Sequence, residues 1–434
     1  MTSITQRAIR GPELRRAIRW SYIAAVVWAA GNALLSTQLI IFLAQEYGAQ
    51  GREVSFLLAA PALVGLLRLF TPRLIADYGG VKRLCLGTSI ASYVMLGAIP
   101  LLALRGMPSG NVRATLPALI AVYCTSQLLE QIGTVVLWTW LGDLVPRRIL
   151  GRYFGRRTLL QLCAVVPMLL LSVAATEYLQ TQFQGESRSL PYALLTGTGT
   201  TLMLLAMWPL SRMPDVTHHS TDRLPIGTQL AAPLHHRPSR RLLGYGCWFA
   251  FFNGLTATPQ NIYPKGVLKL NVRDLQGMQT VMRLGQAGLS FFVGPWSDRR
   301  GNRTILFLSQ IAVGLAPLFF LWSTPEHPYR LYGAYVLWSA YVGINICLPN
   351  LTMLLAPKGG RASHLAAYYA YTSLFLTVGT LVGGELFDYV RRPEFKSFWT
   401  AAPLDPFQTA FVIALITRTA GALLLLRVDE QKVP

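Results

Sequence analysis

Gly294-Pro-Trp-Ser-Asp298-Arg299-Arg300-Gly301-Asn-Arg303 is a short charged stretch between two long apolar ones, and a reduced copy, Asp77-Tyr-Gly-Gly80-Val-Lys82-Arg83, stands 221 positions earlier. A true duplication carries other residues into register at the same offset. Asn32-Ala-Leu34-Leu-Ser-Thr37, inside the first apolar stretch, aligns with Asn253-Gly-Leu255-Thr-Ala-Thr258 and repeats Asn, Leu and Thr 221 residues later. The offset is close to half of the 434 residues, so the chain reads as two homologous halves.

Hydrophobic residues make up 52% of the chain and charged residues 13%, and the mean hydropathy is +0.40. A soluble domain carries roughly 25% charged residues, so this composition belongs in a bilayer. Apolar segments that can cross a hydrocarbon core, roughly 20 residues each, fall near 20–44, 53–75, 83–104, 114–142, 155–176, 190–210, 242–263, 275–297, 304–323, 330–355, 363–387 and 405–427. A transmembrane β-barrel would alternate apolar and polar residues in strands of about ten, and no such alternation is present. The expected fold is an all-α membrane protein of about twelve helices.

Positively charged loops are retained on the cytoplasmic side. With the N-terminus inside, 25 of the 39 Lys and Arg fall in cytoplasmic segments and 11 outside, which puts both termini in the cytoplasm. Basic loops facing anionic headgroups account for the net charge of +20 without nucleic acid. The Arg-containing start runs directly into a long apolar segment, so the first span is expected to serve as its own insertion signal in the inner (plasma) membrane. The expected organisation is a cytoplasmic segment 1–19, a six-helix bundle 20–210, a cytoplasmic linker 211–241, a second six-helix bundle 242–427 and a cytoplasmic tail 428–434.

The linker is rich in Pro, Thr, His and Arg and reads as a solvated tether without helical periodicity. Its pairs His218-His219 and His235-His236 have no fixed geometry for a metal. The five cysteines (Cys85, Cys124, Cys163, Cys247, Cys347) lie singly inside spans as small apolar filler, with neither metal nor disulfide implied. No cofactor is expected.

Gly294-x-x-x-Asp298-Arg299-x-Gly301-x-Arg303, after the eighth span, resembles the signature loop of the major facilitator superfamily, and Asp77-x-x-Gly80-x-Lys82-Arg83, after the second, occupies its first-half position. The first-half copy departs from the pattern, with Arg73 in place of the leading glycine and Tyr78 in place of the arginine after the aspartate. Asp143-Leu-Val-Pro146-Arg-Arg148-Ile-Leu-Gly151-Arg152-Tyr-Phe-Gly-Arg156-Arg157 is similar to the loop between the fourth and fifth helices in many bacterial members. The resemblance covers nearly the whole chain and leaves the subfamily open. It implies two pseudo-symmetric six-helix bundles that carry a small organic solute by alternating access, with no enzymatic step. The expected partners are the lipid bilayer, the solute and protons, with the chain acting as a monomer.

A tight turn between antiparallel helices needs glycine where the backbone reverses, which assigns Gly80 and Gly301. An aspartate at the membrane surface is attracted to arginines and to the positive end of a nearby helix, by about 0.3–1 kcal/mol when exposed. The resemblance implies that Asp298 faces Arg152 and Arg156 at the start of the fifth helix, and that Asp77 faces Arg361 at the start of the eleventh. Asp77, Gly80, Lys82, Arg83, Asp143, Arg152, Arg156, Gly294, Asp298, Arg299, Gly301 and Arg303 thus form the expected gating set. The alternative is that these charges only anchor loops and enforce topology.

An ionisable group at mid-bilayer costs roughly 2.5–3.5 kcal/mol and faces protein or water. The resemblance assigns the cavity to the first, fourth, seventh and tenth helices. The fourth carries Gln127-Leu-Leu-Glu130-Gln131-Ile-Gly-Thr134, a polar face at spacings of three and four. Burial disfavours a charged carboxylate, which makes Glu130 the expected proton-coupling site; the alternative is an ion pair with Arg283 or Arg68. Asn32, Thr37 and Gln38, then Asn253, Thr258, Gln260 and Asn261, then Trp338, Tyr341, Asn345 and Asn350 suit a neutral or zwitterionic solute, or else join helices. Arg283 is expected to face the cavity or a carboxylate. Pro259 interrupts the seventh helix, Glu385 and Asp388 read as a solvated rim, and Arg418 has no visible partner.

The fifth helix lacks the glycines of proton-antiporting drug exporters in Gln161-Leu-Cys-Ala-Val-Val-Pro167, and the fourth offers Glu130 where those carry arginine, which demotes drug export. Two other classes stand against transport. A transporter-like receptor or assembly factor would keep the fold and lose turnover. A membrane-embedded lipid-modifying enzyme would need clustered acids, histidines or metal ligands, and outside the linker only His327 and His364 are present.

Overall fold

Backbone polar groups find no water in a bilayer, so an apolar chain crosses it as helices or as a closed barrel. The structure, a computed structural model, takes the first course; it describes residues 11–63, 65, 80–106, 112–145, 150–182, 190–215, 226–355, 361–390 and 405–429. The first half consists of α1 (Gly11–Leu34) and α2 (Thr37–Glu46) in the first span and α3 (Gly51–Leu63) in the second. The third is α4 (Val81–Leu96) with α5 (Ala98–Gly106), the fourth α6 (Val112–Leu144), the fifth α7 (Leu150–Gln182), and the sixth α8 (Leu190–Leu205) with α9 (Met207–Ser211). After α10 (Ile226–His235) the second half begins with α11 (Arg237–Leu255) and α12 (Ala257–Gly266), followed by α13 (Val272–Arg300) and then α14 (Asn302–Leu315) with α15 (Pro317–Trp322). α16 (Tyr332–Trp338) with α17 (Tyr341–Leu354), α18 (Arg361–Val390) and α19 (Pro406–Leu425) complete it.

Among the described residues nine segments are long and apolar enough to cross a membrane. The second, seventh and eighth spans fall outside that number because α3 is described for only 13 residues and because α11, α12 and α13 are rich in Asn, Gln and Arg.

The 221-residue repeat reappears in the helix ends. α1 stops at Leu34 and α11 at Leu255, while α4 starts at Val81 and α14 at Asn302. Gly301 turns the chain between α13 and α14 with φ 89°, a value open to glycine and strained for other residues, and its N–H donates to the Ser297 carbonyl at 2.9 Å. Both first-in-half spans are broken at matching places. Ser36 leaves the helical region and its hydroxyl accepts the Leu39 N–H at 3.3 Å, an N-cap that restarts the chain as α2. In the seventh span Pro259 has no N–H to give the Leu255 carbonyl, so α11 ends there and Thr256 leads into α12.

Among the described residues the halves meet mainly along two seams, α3 against α18 and α7 against α13, and α12 also packs on α2 and α3. Inside the second half α11 lies directly on α18, because Gly379-Thr-Leu-Val-Gly383 leaves small residues one turn apart. A Cβ on Gly379 would stand 2.2 Å from the Phe251 carbonyl oxygen, and one on Gly383 2.1 Å from that of Leu255. Gly383→Ala is therefore expected to push the two backbones apart and cost about 1–3 kcal/mol. A lowered unfolding temperature in detergent checks it; an unchanged one would show that the seam yields freely.

The 211–241 segment departs from the expected unstructured tether: it contains α10 and the first residues of α11. Ten residues are too few to hold a helix by propensity alone, and the support is tertiary. α10 packs on α18, where the Tyr371 hydroxyl donates to the Leu230 carbonyl at 3.3 Å. His235 and His236 are exposed at its end, and His236 Nδ1 lies 3.2 Å from the Ser239 hydroxyl. His218 and His219 lie outside the described residues.

Candidate functional site

Among the described residues the first half buries one acid. Glu130 on α6 is 8% exposed; its carboxylate accepts from Gln127 Nε2 at 3.4 Å and is approached by the Trp28 indole of α1. The same indole N–H donates to the Tyr93 hydroxyl of α4 at 2.9 Å, and the hydroxyls of Tyr123 and Thr37 lie 3.0 Å apart beside it. Among the described residues no Lys or Arg forms an ion pair with Glu130. Arg283 is not its partner, since it donates to Gln286 Oε1 on its own helix at 3.0 Å; Arg68 lies outside the described residues.

Among the described residues Arg418 is the buried arginine of the second half, and here the structure supplies what the sequence left without an account. Arg418 on α19 sits at the break between α11 and α12. Its Nη2 donates to Thr256 Oγ1 at 2.8 Å, to Gln260 Oε1 at 3.0 Å and to the Asn253 carbonyl at 3.5 Å. A helix C-terminus has unpaired carbonyls and a partial negative charge, so the guanidinium closes the end of α11. The Arg418 carbonyl in turn accepts from Gln310 Nε2 at 2.9 Å, and Gln310 Oε1 accepts from the Tyr245 hydroxyl at 2.7 Å. Asn253 also accepts, at Oδ1, from the Tyr341 hydroxyl of α17 at 3.2 Å. Tyr341→Phe deletes that helix-to-helix bond and is expected to cost about 0.6 kcal/mol, the average for such pairs in membranes; a thermal unfolding series against wild type checks it.

The other expected cavity residues scatter. Asn32 and Asn345 are exposed, and Gln127 and Gln131 are half-buried. Trp338 packs its ring between Phe320 and Tyr335, and its buried Nε1 has no acceptor among the described residues. The Gln38 side chain lies outside the described residues.

A third constellation joins the halves at the end of the bundle opposite the termini. The chain turns between α2 and α3 there, which exposes a helix C-terminus and a helix N-terminus side by side. The second half meets each with the opposite charge. Asp388 of α18 accepts the Gly51 N–H at 3.2 Å and the Arg52 N–H at 2.9 Å, while Glu53 reaches back to the Gln50 N–H at 3.0 Å. Lys265 of α12 donates to the Phe42 carbonyl at 2.7 Å and pairs with Glu46 at 2.7 Å. Arg52 and Glu385 add a 3.1 Å pair whose side chains are both 63% exposed, so it contributes little, about 0–1 kcal/mol. Asp388 is therefore more than the solvated rim the sequence suggested, while Glu385 remains solvated. Asp388 caps the other half's α3.

At the terminus end two of the expected gating residues bind carbonyls of their own halves. Lys82 donates to the Met213 carbonyl at 2.7 Å and Arg303 to the Val428 carbonyl at 3.0 Å. The Arg156 guanidinium stands 5.8 Å from the centre of the Tyr22 ring, and Arg83 and Arg299 are exposed. Asp77 lies outside the described residues, as do the side chains of Asp143, Arg152, Gly294, Asp298 and Arg361.

No curated protein matches the chain by sequence. Among solved structures, a variant of the nucleoside transporter NupG is similar at TM-score 0.65 with 12% identity, over 96% of this chain and 100% of that one. The D-xylose-proton symporter is similar at TM-score 0.65 with 12% identity, over 96% and 98%. A structure from work on proton dependent oligopeptide transporters is similar at TM-score 0.63 with 12% identity, over 95% and 98%. These likenesses establish the fold. The family profile of the Major Facilitator Superfamily matches residues 21–380 and 262–434. With two pseudo-symmetric helical halves built on a 221-residue repeat, this chain belongs to the Major Facilitator Superfamily of membrane transporters.

Proposed function

We propose that this protein moves a small organic solute across the inner membrane by alternating access, as a monomer with both termini cytoplasmic, and that protonation of Glu130 is coupled to the cycle. The observation that carries the reading is the charge-matched closure at the end opposite the termini, where Asp388 and Lys265 of one half hold the two helix ends of the other. A joint made of hydrogen bonds between rigid halves is broken and remade as a unit, which is what a two-state gate requires. In this state the outer face is closed. Asp298 with Arg152 and Arg156, and Asp77 with Arg361, are the counterpart latch for the opposite state.

Amides, hydroxyls and aromatic rings at Asn32, Gln38, Gln127, Gln131, Asn253, Gln260, Trp338, Tyr341 and Asn345 favour a neutral or zwitterionic solute. Nucleosides, xylose and oligopeptides, named for the structural neighbours, are of that kind. The test is uptake of labelled nucleosides, sugars, amino acids, short peptides and drugs into proteoliposomes, with and without a pH gradient. Flux of one class above protein-free liposomes supports transport; flux of none would leave a receptor or assembly factor on a transporter fold.

A further inference from the structure

Arg418 is 1% exposed and Gln260 7%, and three nitrogens at this spot have no acceptor among the described residues: Arg418 Nε, Arg418 Nη1 and Gln260 Nε2. All three are donors. A guanidinium cannot accept a hydrogen bond, so Arg418 holds the amide oxygen of Gln260 toward itself, at 3.0 Å, and the amide NH2 is turned away from it. Gln260 also lines a cavity of about 10 Å³ at the junction of the halves, with Asn261 and Tyr335 on its own side and Ile41 and Phe42 on the other. That is roughly the room one water occupies, as befits a site squeezed shut beneath the closed outer face.

The repeat does not carry this cation into the first half. At the repeat-matched positions in the first half, Arg418 corresponds to Gly197, Gln260 to Leu39 and Thr256 to Leu35, and those helices pack without them. No carboxylate among the described residues pairs with Arg418. The region therefore has a positive field and unused donors one side chain away from the inter-half cavity.

We infer that Gln260 and Arg418 form the carboxylate-binding end of the solute site. Gln260 Nε2 donates to a carboxylate oxygen of the solute; Arg418 is a positioning residue that fixes the amide and makes an anionic oxygen preferable to a neutral one. This rests on the transport reading and narrows it to solutes that carry a carboxylate, such as zwitterions.

The test is thermal unfolding of the purified full chain with acetate against acetamide, and alanine against alaninamide, at constant pH and ionic strength. The carboxylates are expected to raise the unfolding temperature and the amides not. Gln260→Glu places a carboxylate against Arg418, so the fold keeps its bond while the donor and the field are lost. The carboxylate-over-amide preference should then fall about tenfold, the loss of one charge-assisted hydrogen bond. Arg418→Lys should retain part of that preference, which a purely structural role would not grade. Equal effects of acid and amide on wild type, or a preference that survives Gln260→Glu, overturns the inference. Flux of a neutral solute with no carboxylate preference overturns it while transport stands; carboxylate-selective stabilisation without flux of any solute upholds the site and removes turnover.

Discussion

Asp388→Ala is expected to open the end of the bundle opposite the termini about tenfold or more often. The carboxylate takes two backbone N–H groups at the start of α3, and hydrogen bonds to a charged group contribute about 1.5–3 kcal/mol. Each 1.4 kcal/mol is about tenfold in population. Lys265→Met should act in the same direction, because its ammonium holds both the Phe42 carbonyl and Glu46 at 2.7 Å. The exposed Arg52–Glu385 pair should matter least. The readout is labelling of a cysteine placed at Asn261, which lines the closed junction, by a membrane-impermeant maleimide in a background without the five native cysteines. Labelling should be slow in the parent and at least about tenfold faster with Asp388→Ala. Equal rates would show that apolar packing, not the charged joint, closes this end.

Glu130→Gln is expected to abolish accumulation driven by a pH gradient and to leave solute exchange intact. Glutamine keeps the shape and still accepts from Gln127, but it carries no titratable proton. One pH unit corresponds to about 1.4 kcal/mol per proton, so a carrier coupled to one proton accumulates solute about tenfold at that gradient. The variant should fall to equal concentrations on both sides. Accumulation that survives would move coupling away from Glu130; exchange lost along with accumulation would make Glu130 a structural group of the Trp28 and Tyr93 cluster.

The two-half architecture was open to reading because a duplication writes itself in identical spacings. The offset that relates Asp77 to Asp298 and Asn32 to Asn253 also relates the ends of α1 and α11 and the starts of α4 and α14. Gly301 was placed correctly for a physical reason, since a reversal at φ 89° has few other solutions. The joint at the far end was hidden because the groups that Asp388 and Lys265 engage in the first half include backbone atoms, the Gly51 and Arg52 N–H groups and the Phe42 carbonyl. Nothing in the letters Gly51 and Arg52 announces a helix N-terminus waiting for an anion from α18. Arg418 was hidden by the asymmetry of the repeat, as its partners Thr256 and Gln260 have leucines as counterparts. The same asymmetry separates Asn253, which Tyr341 engages, from Asn32, because the residue matched to Tyr341 is Ile120. α10 was missed because a ten-residue helix held by α18 has too short a pattern to be told from a polar loop.

The most direct test of alternating access is to lock the closed joint and measure flux. Arg52 and Glu385, paired across the halves at 3.1 Å, are replaced by cysteine in the cysteine-free background, reconstituted, and bridged with a short thiol cross-linker. Alternating access predicts solute flux before cross-linking, none after it, and recovery when a cleavable bridge is cut. Undiminished flux through the bridged protein would contradict it.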